Sequence, residues 1–142
     1  MKSLKTLLVP LAALLIVMAS RPAEAKSHLS DILNKGSRWS LNVDGEAGVL
    51  ELLGGHGHQT PDGGWEMEMD VTWQGNRGKL IASADGQNRE QKVMLRLRNR
   101  GGIPVYCDGY VAQYAGNLMA GTSRYRAIPG DIKGAWYAMK LR

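Results

Sequence analysis

From Trp65 to Trp73 every odd position is apolar and every even position polar, reading Trp-Glu-Met-Glu-Met-Asp-Val-Thr-Trp. On a helix those apolar residues would scatter around the circumference, whereas on a strand they share one face. The run is bounded by Gly63-Gly64 and Gly75. The same alternation recurs in Arg38–Asp44, where Trp39, Leu41 and Val43 form the apolar set, and in Glu90–Asn99, where Val93, Leu95 and Leu97 do. A chain built this way must bury one face of each strand against the apolar faces of others.

The remaining segments fit that scheme. Gly48–Leu53, Lys79–Ala84, Val105–Tyr114, Leu118–Arg126 and Gly134–Arg142 read as further strands. Asp44-Gly45, Asp85-Gly86 and Gly101-Gly102 read as turns between them. All 18 glycines lie after residue 25, and Gly weakens helix interiors by about 1 kcal/mol each. The strands leave no room for helices between them, which excludes parallel βαβ units. Eight consecutive antiparallel strands remove their exposed edges by closing on themselves. We therefore expect an all-β, antiparallel up-and-down meander forming an eight-stranded barrel over residues 36–142, with a two-sheet sandwich as the alternative. Residues 26–35 read as a polar lead, with one helical turn over Ser30–Asn34.

Residues 1–25 have the layout of a secretory signal. Lys2 and Lys5 form a basic head, Leu7–Ala19 an apolar run, and Ala23-Glu24-Ala25 a small-x-small cleavage site. The apolar run is shorter than the ~20 residues of a spanning helix, so no membrane span is expected in the mature protein. We expect export to the bacterial periplasm or beyond. Without Lys2, Lys5, Arg21 and Glu24 the formal charge falls from +5 to about +3. That is far from the strong basic stripe of a nucleic-acid-binding domain, and nucleic acid is not an expected partner. Cys107 is the single cysteine, so the domain has no internal disulfide. It reads either as a buried small residue of a strand or as a reactive thiol.

Gly36-Ser37-Arg38-Trp39 before the first strand, the count of eight strands and the closing Gly134-Ala135-Trp136-Tyr137-Ala138 resemble small lipocalin- and avidin-type barrels. The chain has Gly-x-x-Trp where those families usually have Gly-x-Trp. The resemblance implies a small hydrophobic ligand inside the barrel, and no particular cofactor.

In a meander, Trp39 and Trp65 fall at one end, and Trp73 and Trp136 near the other. They are candidates either for plugging the interior or for walling a ligand pocket. Trp65 and Trp73 stand roughly 26 Å apart along their strand. Residues 54–64 read as a long glycine-rich loop in which His56 and His58, near Asp62, are weak metal candidates. Arg77, Lys79, Arg98, Arg100, Arg126 and Lys133 should gather at the end opposite that loop. They would form a candidate face for an acidic partner. Glu66, Glu68 and Asp70 alternate along one strand and point outward, which does not place two carboxylates across a cleft. No Gly-x-Ser-x-Gly elbow is present. The expected function is a non-enzymatic interaction module, an accessory subunit or inhibitor of another exported protein. The alternative is a carrier of a small apolar ligand.

Overall fold

A computed structural model describes residues 29–86, 91–112, 117–127 and 130–142. The expected leader lies outside these residues. One helical turn, α1 (Leu29–Ile32), precedes strands β1 (Arg38–Val43), β2 (Glu46–Gln59), β3 (Trp65–Trp73), β4 (Asn76–Ala84), β5 (Gln91–Arg98), β6 (Pro104–Val111), β7 (Leu118–Ala127) and β8 (Gly130–Lys140). Each strand pairs antiparallel with the next, and β1 also pairs with β8, with Trp39 opposite Lys140 and Val43 opposite Trp136. The result is a closed eight-stranded barrel in sequence order, and not a sandwich.

The turns explain the meander. Asp44 and Gly45 have φ of 50° and 88°, and Gln74 and Gly75 have 51° and 81°. Two consecutive positive φ values give the turn whose twist matches paired antiparallel strands. The Asn42 Oδ1 accepts a hydrogen bond from the Gly45 N–H at 3.0 Å.

The inside of the barrel is filled. Trp39, Leu41, Leu50, Leu52, Leu80, Leu95, Met119 and Ala138 are wholly inaccessible, and Trp73 and Trp136 are 1% exposed. Several indoles lie against inward-facing glycines. A methyl group on Gly48 would stand 2.7 Å from the Trp73 Nε1, one on Gly57 2.9 Å from the Trp65 ring, and one on Gly109 2.8 Å from the Trp136 ring. In this chain without Phe, a Trp thus occupies space that a glycine on a neighbouring strand leaves vacant.

Two expectations need correction. The segment 54–64 is not one long loop, because β2 continues to Gln59 in register with β3. A bulge between Leu52 and Gly54 shifts the register. Beyond it Gly55, Gly57 and Gln59 lie opposite Met69, Met67 and Trp65, while His56 and His58 lie opposite Glu68 and Glu66. The alternation continues, but its inward members are glycines and carry no apolar signal. The lead is not simply polar either. Leu29, Ile32 and Leu33 are buried in the barrel core. The Lys140 Nζ donates to the Ile32 carbonyl at 2.9 Å and stands 5.8 Å from the centre of the Trp39 ring. The last strand thus holds α1 over one mouth of the barrel.

Candidate functional site

The outer surface has two contrasting faces, and the barrel has two distinct ends. Along β3 the outward residues Glu66, Glu68 and Asp70 are charged, with His58 of β2 and Lys79 of β4 beside them. The Lys79 Nζ lies 2.9 Å from Glu68 and 3.0 Å from Asp70. The hydrogen bonds from Lys79, reinforced by its charge, hold both carboxyls below their ordinary values. Hydrogen bonds to Glu68 and Asp70 push the Lys79 ammonium up in turn. His58 pairs with Glu66 at 3.4 Å. Asp62 points to neither histidine. Its carboxylate accepts from the Thr60 hydroxyl and from the Gly64 N–H, and the Thr60 bond holds its pKa down. Among the described residues no three His, Cys, Asp or Glu side chains are placed to hold a metal ion.

The opposite face is apolar. On β8 the outward residues are Ala135, Tyr137 and Met139, with Tyr137 50% and Met139 52% exposed. Their cross-strand neighbours on β7 are Ala120 and Leu118, and on β1 they are Asn42 and Ser40. Val49 continues the row on β2 opposite Ser40. No charged side chain interrupts these outward positions until Lys133 and Arg124 on one side and Arg38 and Glu51 on the other. Long exposed apolar side chains set side by side are a mark of interaction surfaces.

At the turn end, Arg77, Arg98 and Arg100 are exposed on the β4 and β5 side. Arg98 donates to the Gly102 carbonyl at 2.9 Å, and the Arg100 N–H donates to the Gln74 side chain at 2.8 Å. Lys133 on β8, four strands around the barrel from β4, is exposed beside Arg124 on β7. The side chain of Arg126 lies outside the described residues. The expected basic group therefore shares one end of the barrel but not one face. Lys79 is occupied by its two carboxylates, and Asp44 stands at the same end.

At the plugged end a cavity of about 330 Å³ is lined by Leu29, Gln59, Trp65, Ala84 and Asp85, among others. The Trp65 Nε1 is buried without a hydrogen bond. Of the four tryptophans, Trp65 alone lines this space, while Trp39, Trp73 and Trp136 are packed inside. Cys107 is fully buried, and desolvation pushes its thiol up to about 12, so little of it is the nucleophilic thiolate. The apolar outer face was missed by sequence reasoning. Ala135–Met139 is apolar at every position and so does not reveal which side chains point out.

Comparison with protein-family models, with curated proteins and with solved structures finds no match for this chain.

Proposed function

We propose that the protein is an exported, non-enzymatic binding module that docks on another exported protein through the outer face of β7, β8 and β1. The observation that carries this reading is the adjacent exposure of Tyr137 and Met139 on a stretch of sheet free of charge. The interior needs neither residue, since Trp39, Trp73, Trp136 and their neighbours already fill it. Apolar side chains left outside a filled core gain free energy by leaving water against a partner. The signal-like pattern over residues 1–25 supports export.

A photo-crosslinking residue at position 137, expressed in the native host, tests the proposal. A discrete adduct from position 137 and none from position 68 is the expected result. Tyr137→Lys with a crosslinker at the neighbouring position 139 should abolish the adduct. Equal adducts from positions 137 and 68, or none from 137, would count against it.

One observation favours a second reading, a carrier of a small apolar ligand. The mouth cavity beside α1 is lined by the apolar Leu29, Trp65 and Ala84 together with the polar Gln59 and Asp85, a combination suited to a small molecule with an apolar body and a polar group. Native mass spectrometry of protein purified from its host separates the readings. A retained small molecule, lost on Trp65→Ala, supports the carrier.

A further inference from the structure

Gly109 on β6 and Gly121 on β7 face each other in register. Both occupy inward positions, and a methyl group on either would collide with backbone of the facing strand. The Trp136 indole packs against Gly109 from inside and donates to the Asp108 carbonyl at 3.0 Å. On the outside of the sheet these two glycines, without side chains, leave a groove of about 520 Å³ across β4 to β7. That volume lies within the range of small-ligand sites, roughly 300–1,000 Å³.

The groove differs in kind from the apolar face beside it. Ile81 and Met94 are direct cross-strand neighbours and give it an apolar strip. Asp108 and Thr122 extend that row, with Met94 opposite Asp108 and Asp108 opposite Thr122. In the next row Ser83, Lys92 and Tyr110 follow one another across three strands. Tyr110 is 54% exposed. The lining therefore combines an exposed aromatic ring and an apolar strip with hydroxyls, a carboxylate and an ammonium.

Every strand is already paired on both sides in the closed barrel, so an extended peptide has no edge on which to add as a further strand. Recognition must come from side chains. The two charged residues of the lining, Lys92 and Asp108, are opposite in sign, and Arg124 just outside it pairs with Asp108 at 4.0 Å, so the groove presents no cluster of like charge to a phosphate or a carboxylate. A pyranose ring has an apolar C–H face and a rim of hydroxyls that both donate and accept. We infer that the groove binds a neutral saccharide, its C–H face against Tyr110 and Met94 and its hydroxyls on Asp108, Thr122 and Ser83.

The test is a titration of the ¹⁵N-labelled protein with cellobiose, chitobiose and maltose up to about 10 mM, the range of weak single-site binding. The expected result is saturable shifts at the amides of Asp108, Tyr110 and Thr122 for at least one sugar. Tyr110→Ala and Asp108→Asn should each weaken binding about tenfold, as loss of an anchoring contact does. Tyr137→Ala, on the neighbouring face, should leave it unchanged. Retention on chitin or cellulose beads would identify a glycan chain as the source of the sugar, and its absence a free saccharide. No shift with any of the three sugars would overturn the inference. So would shifts that survive Tyr110→Ala, or tighter binding of indole than of every sugar.

Discussion

The outer faces of β3–β4 and of β7–β8 obey the same strand alternation but carry opposite chemistry. On β3, Glu66, Glu68 and Asp70 point outward, and Lys79 on β4 bridges two of them. On β8 the equivalent outward positions hold Ala135, Tyr137 and Met139. Both strands bury the other half of their residues in one core, Met69 and Val71 from the first and Trp136 and Ala138 from the second. Alternation therefore determines which way a side chain points, and says nothing about why it is apolar. Met69 is apolar because it is inside, whereas Met139 is apolar although it is outside. Both outward patterns are free of the constraints of packing, so the difference between them points to what each face meets.

Paired substitutions separate these roles. Met69→Asp places an unpaired charge in the core and should cost about 3–5 kcal/mol in urea unfolding, or abolish folding. Met139→Asp is the matching change outside. It should alter stability by no more than about 0.5 kcal/mol. A large loss from Met139→Asp would make the apolar face part of the structural core and remove the case for docking.

An intermediate effect is expected where β8 reaches the plug. Lys140→Ala removes the hydrogen bond to the Ile32 carbonyl and the contact over Trp39. The cost should be about 1–2 kcal/mol. Faster amide exchange at Leu33, whose N–H bonds to the Leu29 carbonyl, should accompany it. Unchanged exchange would mean that burial of Leu29, Ile32 and Leu33 alone seats α1.

The smallest effect belongs to the charged face. Glu68 and Asp70 have pKa values below their ordinary 4.5 and 3.8 because of Lys79. Carboxylates lowered in the folded state stabilise it above their unfolded pKa, and that contribution is lost as pH falls through the folded values. The advantage of the wild type over Lys79→Met should therefore be present near about pH 6 and disappear on acidification below roughly pH 4. The groups are exposed, so the difference should be small and should shrink further with salt. An advantage that persists in acid would mean that the Lys79 stem, and not its charge, stabilises the sheet.

Much of the architecture was legible in the sequence because period-2 alternation is written wherever large apolar and charged residues take turns. Trp65–Trp73 and Glu90–Asn99 announce their inward faces, and Asp44-Gly45 its turn. The second half of β2 was hidden. Its inward residues are Gly55, which lies against the β3 backbone at Glu68 and Met69, and Gly57, beside which Trp65 from the next strand takes up the space. The three apolar residues of the lead gave no sign of being a plug, because a single turn is too short to show a period. The candidate surfaces depended on tertiary structure still more heavily. In Ala135–Met139 every residue is apolar, so the sequence permits either phase. Pairing with β1 settles it, because Val43 opposite Trp136 and Leu41 opposite Ala138 place those residues inside and Tyr137 and Met139 out. Apart from the second half of β2, the sequence alone determined the strands, most of their turns and their order, since these depend on neighbours along the chain. On β8, which apolar residues fill the core and which stand in water was decided only by closure of the barrel, which brings the first strand against the last.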